Sequence, residues 1–258
     1  MPTPSPAAPP ATSVWSDREA AFYAEHLAAS DYLSTVGTAL RQTLGHCGDL
    51  LDIGAGSGLL GQALLQDSGR WTALEPNAYM RTCISALAAR TPGIELRLHD
   101  SLWQDIPRLS LAPAEVVLCA NIPVADGQAR HLLEHVRPLA RRALAWNVPA
   151  QEGPRTYCLS GFLPASLHGS DTTPGHLLVL DDLGERLRPD AIHFTHWRFS
   201  TVFPHYDDAL AHFQEKLGPL DKQRLRHLHA HLREHLQEVP GGWLASAPKC
   251  AATLIWHA

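Results

Sequence analysis

Two acids and four glycines set the chemistry open to this sequence. Asp52 closes a short apolar run, Gly54, Gly56, Gly58 and Gly61 follow it, and Glu75 stands 19 residues beyond Gly56 at the end of another apolar run. A glycine-rich turn between a strand and a helix lets the main chain approach a ligand with no Cβ in the way. An acid at the end of the next strand can accept hydrogen bonds from both hydroxyls of a ribose. The ligand implied carries a ribose. The spacing Gly56-x-Gly58-x-x-Gly61 also fits the dinucleotide fingerprint, which is a weak signal alone. No Lys or Arg lies between residues 49 and 69 to meet a phosphate.

The remaining reactive side chains are dispersed. The five cysteines (Cys47, Cys83, Cys119, Cys158 and Cys250) are odd in number and lack a CxxC pair, which argues against a disulfide framework or a zinc clip and favours a reducing compartment. His193, His196 and His205 fall near a late strand, but a gap of three within a strand sends the first two to opposite faces, so no metal site is expected. His227, His229, His231 and His235 share a helical stretch with arginines and read as a wet face. Trp103, Trp146 and Trp197 are core residues by default.

The elements around the two acids alternate. "SDRE" at 16–19 has the form of a capping box, so a helix is expected from there through "AAFYAEHLA", with a second from Asp31 to about Leu44. "DLLDI" at 49–53, "WTALE" at 71–75, "IELRLHD", "AEVVLCAN" at 114–121 and "RALAWNVP" read as strands, separated by helical stretches at "LLGQALLQ", "NAYMRTCISALAAR" and about Asp126 to Leu139. Such alternation means parallel strands with crossover helices. Residues 150–175, rich in Gly and Pro, read as a long irregular connection. After it come a short helix "HLLVLDDLG", a strand "AIHFTHWRFS", two amphipathic helices within 205–236 and a final strand "ATLIWH".

With these elements in place the sequence resembles the class I S-adenosylmethionine-dependent methyltransferases. Their first motif runs from an acid into G-x-G-x-G, here Asp52-Ile53-Gly54-Ala55-Gly56-Ser57-Gly58, and their second landmark is an acid ending strand two, here Glu75 in "ALEPN". The resemblance implies a Rossmann-like α/β sandwich with a seven-stranded, mostly parallel sheet, a helical N-terminal leader and lid insertions. It also implies S-adenosylmethionine as cofactor. Gly54, Ala55 and Gly56 would hold its amino acid end, Asp52 would compensate the ammonium, and Glu75 would hold the ribose. Pro76 and Met80 would flank the adenine, Asp100 would accept its exocyclic amine, and the N–H of Ser101 or Leu102 would reach the ring nitrogen. Asn121 would face the methionine end. "NIPV" at 121–124 is similar to the N-x-P-[YF] tetrad of members acting on planar amino groups, but Val124 replaces the stacking aromatic, which favours a plain turn. Tyr23 and His26 on the leader helix are candidates near the transferred methyl, and His196 and Trp197 are candidates for the acceptor pocket.

Composition limits the partners. A formal charge of -5 gives no basic field for nucleic acid. No stretch approaches 18 apolar residues, and the N-terminus lacks the basic and apolar parts of a secretory signal, so a cytoplasmic protein is expected, without a membrane span. Residues 1–13 read as a disordered leader, and 14–258 as one domain: helical leader 14–45, cofactor core 46–149, and a substrate-side insertion with C-terminal strands over 150–258. The function implied is in-line methyl transfer to oxygen, nitrogen or sulfur of a small-molecule acceptor. Alternatives are an aminocarboxypropyl transferase of the nicotianamine-synthase type, a nicotinamide-dependent oxidoreductase built on Gly56, Gly58 and Gly61, or a non-catalytic protein on the same fold. Neither composition nor motif fixes the oligomeric state.

Overall fold

The computed structural model describes residues 15–122, 124, 127–152, 159–168 and 173–258. The expected disordered leader over 1–13, Pro123 of the turn after Asn121, the helix start at Asp126, Cys158 and parts of the 150–175 connection lie outside the described residues. Ser16 and Glu19 form the reciprocal capping box that their spacing predicts, and α1 (Asp17–Ala29) begins there. The second helix starts as a π turn (Leu33–Gly37) that passes into α2 (Thr38–Leu44).

Next along the chain come β1 (Asp49–Ile53), α3 (Leu59–Leu65), β2 (Ser68–Leu74), α4 (Ala78–Ala89), β3 (Gly93–His99), a 3-10 turn (Trp103–Arg108) and β4 (Ala114–Ala120). Then follow α5 (Ala129–Val136), β5 (Ala140–Pro149), the single turn α6 (Ala165–His168), α7 (Gly175–Leu183) and β6 (Ala191–Phe203). The chain finishes with α8 (Tyr206–Leu217), α9 (Lys222–His235), β7 (Gln237–Val239) and β8 (Gly242–His257).

The main path of the sheet runs β3-β2-β1-β4-β5-β8-β6. The first five of these strands are mutually parallel, and β8 runs antiparallel to both β5 and β6. This is the Rossmann-like, mostly parallel sandwich expected from the sequence. Both faces are covered, so adjacent residues such as Leu50 and Leu51 are both buried, one in each of two cores. The first core gathers Trp71, Phe199 and Phe213 under the N-terminal helices; the second gathers Trp146, Trp256 and Val117 under α5 and α7. Each such large side chain contributes about 2 to 3 kcal/mol through the area it removes from water.

Two differences from expectation concern the C-terminal strands. β8 spans 16 residues instead of the short "ATLIWH", because its first half, "GWLASAPKC", is rich in Ala and contains Pro248, both poor strand signals. Pro248 is tolerated because β5 pairs with β8 only from Ala251 onward, so the missing N–H interrupts no ladder on that side. The three-residue β7 hairpins onto the start of β8 and is too short to show any alternation.

Gly61 is where α3 meets the sheet. A Cβ there would lie 2.4 Å from Asp52 Oδ2 and 2.7 Å from the Trp71 ring. Gly61→Ala will therefore lower stability by about 1 to 2 kcal/mol, the overpacking cost outweighing the gain of roughly 1 kcal/mol in helix propensity. Denaturant titration checks this, and an unchanged or raised midpoint would refute the close packing.

Candidate functional site

Where the strand order reverses between β1 and β4, the carboxyl ends of the parallel strands open into a cavity of about 270 Å³. Such switch points are where open α/β sheets bind ligands. Asp52, next to the end of β1, is buried and lines the cavity, and the Trp71 indole N–H donates to its Oδ2 at 3.3 Å. Burial pushes the Asp52 carboxyl up to about 7, and the nearby Glu75 charge adds to the shift.

Glu75 follows β2 and is also buried. Its Oε2 accepts the Gly56 N–H and its Oε1 the Asn77 N–H, both at 2.8 Å. Burial raises its pKa, while those two bonds and the Arg81 guanidinium pull it back. Each carboxylate oxygen keeps further lone-pair capacity beyond its amide bond. Gly54 has φ +63°, and a Cβ there would meet Ile122 at 2.1 Å, so no other residue fits without displacement. Gly56 has φ +57° and its Cβ position is open space, as a main-chain approach to a ligand requires.

Asn77 links this floor to the N-terminal helix. It caps α4 by accepting the Met80 N–H at 3.0 Å, and its Nδ2 donates to the Trp15 carbonyl at 2.9 Å and to Asp17 Oδ1 at 3.2 Å. At the end of β4, Asn121 adopts a left-handed conformation with φ 53°, which Asn tolerates better than most residues. Its Nδ2 donates to the Tyr32 hydroxyl at 3.0 Å. The Tyr32 ring packs on Trp197 with centroids 4.6 Å apart, and burial raises the phenol pKa well above its ordinary value. Tyr23 packs edge-on against Trp15 at 4.7 Å and completes the aromatic wall.

Of the residues singled out in the sequence, Asp52, Gly54, Ala55, Gly56, Glu75, Pro76, Met80, Ser101, Leu102 and Asn121 line this cavity, with Tyr23 and Trp197. His26, Asp100 and His196 do not. The His26 Nδ1 contacts the Phe22 carbonyl at 2.7 Å and its ring packs on Phe22, so it serves helix packing. The Asp100 carboxylate is exposed and paired with Arg81 at 2.9 Å. His196 precedes Trp197 on β6, and strand alternation turns it to the other face. The expected wet face of α9 is also partly engaged: His229 meets the Tyr206 hydroxyl at 3.2 Å and His231 the Phe162 carbonyl at 2.7 Å.

The cavity includes residues that the sequence did not single out: Tyr32, Asn77, Gln151 and Lys249, together with Trp103, read there as core. Tyr32 sits four residues before Val36 and so reads as one more core position on a helical stripe. Lys249 did carry a signal. It interrupts the period-2 series Ala245, Ala247, Ala251, where a lysine stands on the buried side of a strand. Seeing it required knowing that the strand begins at Gly242.

The fold and this cavity define a Rossmann-like protein with a ligand site at the switch point. No family model matches the chain, and no curated protein matches it. Solved structures similar to it include the YcgJ protein of Bacillus subtilis, at 13% identity and TM-score 0.49, covering 86% of this chain and 97% of that one. Another is magnesium protoporphyrin IX methyltransferase of Synechocystis with bound S-adenosylhomocysteine, at 13% identity and TM-score 0.42, covering 92% of this chain and 82% of that one. A third is a precorrin-6y C5,15-methyltransferase of Geobacter metallireducens, at 14% identity and TM-score 0.44, covering 86% and 87%.

Proposed function

We propose that this protein is an S-adenosylmethionine-dependent methyltransferase acting on a small-molecule acceptor. The observation that carries the proposal is the placing of two buried carboxylates, Asp52 and Glu75, on one glycine-built floor. A dinucleotide would bring its pyrophosphate to the first turn of α3, beside the buried Asp52 carboxyl and a stretch, 49–69, with no Lys or Arg. That arrangement repels a diphosphate and suits a ligand that joins an ammonium to a ribose.

The residues fit such a ligand. Asp52 would pair with its ammonium, Gly54 and Gly56 would admit its amino acid end, and Glu75 would take the ribose hydroxyls. Pro76, Met80 and Leu102 would enclose the base, with the Ser101 or Leu102 N–H at a ring nitrogen. Asn121 would stand at the methionine end. When bound, the cofactor supplies an electrophilic methyl on a sulfonium. The chain then has mainly to align the acceptor and exclude water, and the aromatic wall of Tyr23, Tyr32 and Trp197 serves both ends. Residues 14–45 and parts of 150–258 form the acceptor side of a single domain. No helix among the described residues is long and apolar enough to cross a membrane.

Calorimetric titration with S-adenosylmethionine, S-adenosylhomocysteine and NADH tests the proposal. Binding of the first two without NADH is the expected result. Binding of NADH alone would transfer the glycines to a nicotinamide-dependent oxidoreductase.

A further inference from the structure

The side-chain polarity of the cavity changes along its length. Asp52 and Glu75 make the glycine floor rich in hydrogen-bond acceptors. From Asn121 the wall continues through Tyr32, whose ring packs on Trp197, to Gln151 and the stretch of β8 that faces Trp197. Two side chains on this wall are held as donors.

The first is Gln151. The β5–β8 ladder ends at the pair Pro149 and Ala251, after which the Ala150 N–H donates to the Cys250 carbonyl at 2.7 Å and the Cys250 N–H donates to Gln151 Oε1 at 3.2 Å. A main-chain N–H can only donate, so the amide oxygen of Gln151 must face Cys250 and its NH2 group is turned away from that bond. Among the described residues this NH2 group has no acceptor. The second donor is Tyr32, buried in the cavity wall, whose hydroxyl receives the Asn121 Nδ2 at 3.0 Å. No group among the described residues accepts its own proton, and burial keeps the phenol protonated by raising its pKa. Lys249, opposite Trp197 in the β6–β8 ladder, already has an interaction partner. Gln151 and Tyr32, the side-chain donors open to a ligand here, are both uncharged. Pro149 and Ala251 also line this part of the cavity and bring no polar side-chain atom to it.

We propose that the acceptor is a neutral aromatic carbonyl compound, its ring held against Trp197 and Tyr32 and its carbonyl oxygen taking hydrogen bonds from the Gln151 NH2 group and the Tyr32 hydroxyl. This deepens the methyltransferase reading and rests on it for the word acceptor. The recognition chemistry stands independently. A flat ring gains from the aromatic faces, and a carbonyl oxygen has two lone pairs for two donors. Uncharged donors repay the desolvation of a neutral oxygen better than that of a carboxylate.

The test uses three probes of nearly one shape: 2-acetylnaphthalene, 2-isopropenylnaphthalene, which lacks the oxygen, and 2-naphthoate. Dissociation constants are measured by NMR titration of the full chain, with and without saturating S-adenosylhomocysteine. The ketone is expected to bind about tenfold more tightly than the hydrocarbon and more tightly than the acid. In the wild-type protein the Gln151 side-chain NH2 resonances will shift with the ketone and stay in place with the hydrocarbon. Gln151→Glu keeps an oxygen for the Cys250 N–H but replaces the donor, and will remove most of the preference for the ketone over the hydrocarbon. Tyr32→Phe will reduce that preference about threefold. Equal affinities for ketone and hydrocarbon, tighter binding of the acid, an undiminished preference in either variant, or Gln151 resonances indifferent to the ketone would overturn the assignment. The wild-type affinities and resonances decide the matter even if a variant does not fold. Should S-adenosylhomocysteine fail to bind while the ketone is still preferred, the cofactor reading falls and the carbonyl site stands.

Discussion

Asp52→Asn will make the ligand-free protein more stable at pH 8 and at the same time remove most of its affinity for S-adenosylmethionine. The folded protein holds the Asp52 carboxyl at about 7, against an unfolded value near ~3.9. Below the unfolded value both states are protonated and the residue has no pH-dependent effect. Between the two values the unfolded chain releases a proton that the folded chain keeps, so stability falls as pH rises, and it levels off above pH ~7. The full shift amounts to a loss on the order of 4 kcal/mol. Asparagine keeps an acceptor for the Trp71 indole and carries no charge to desolvate, so the variant recovers this loss. His212 contributes the opposite slope. Burial lowers its pKa to about 4, so its contribution is complete above the ordinary histidine value and disappears as pH falls toward 4. The two slopes partly cancel in the wild-type melting profile, and subtracting it from that of Asp52→Asn isolates Asp52.

The same carboxyl gives binding a pH dependence of defined sign. An ammonium-bearing ligand selects the ionised form, so affinity will rise with pH up to about 7 and flatten above it, with proton release below that point. Calorimetry in buffers of different ionisation enthalpy counts those protons. A wild-type affinity that is flat from pH 5 to 8, or an Asp52→Asn variant that binds normally, would remove Asp52 from the ammonium site.

How far the sequence foretold this site depends on how local each signal is. Asp52, the glycines and Glu75 were legible because a strand, a tight turn and a helix leave their marks within a few residues, and the strand that follows repeats the pattern. The N-terminal helix was legible from a capping box alone. Lys249 was hidden because its strand is made of alanines around a proline, and its burial depends on β6, about fifty residues earlier in the chain. Asp100 looked like a binding acid, yet Arg81, set by the α4 helix, holds it outside the cavity. Its position at a strand end was visible in the sequence; its partner on another element was not. Tyr32 illustrates the same limit. A tyrosine on a helical stripe looks like core until Asn121, 89 residues away, is brought to its hydroxyl.

Glu75→Ala will weaken S-adenosylmethionine and S-adenosylhomocysteine binding alike by about 2 to 3 kcal/mol, close to two decades, because a buried carboxylate accepting two ribose hydroxyls makes charge-assisted bonds that water cannot replace in an enclosed site. Part of that effect would come through the chain itself. The Gly56 and Asn77 amides now donate to the two oxygens of Glu75, and in the alanine variant both need new partners, which loosens the glycine turn and the start of α4. Glu75→Gln separates the two contributions. Its single carbonyl oxygen can serve only one amide, and its NH2 group faces the other donor, yet that same group can still donate to a ribose oxygen. If ribose recognition dominates, glutamine recovers about half of the lost binding energy with the turn still disturbed. If the carboxylate acts chiefly as a brace for Gly56 and Asn77, both variants will lose stability in the denaturant titration and lose affinity by the same factor. A probe lacking both hydroxyls distinguishes these outcomes in the wild-type protein: the dideoxy analogue of S-adenosylhomocysteine will bind the wild type more weakly than the natural ligand does, by the ribose share of the Glu75→Ala loss without the share due to the loosened turn, and a dideoxy analogue that binds normally would take the ribose away from Glu75.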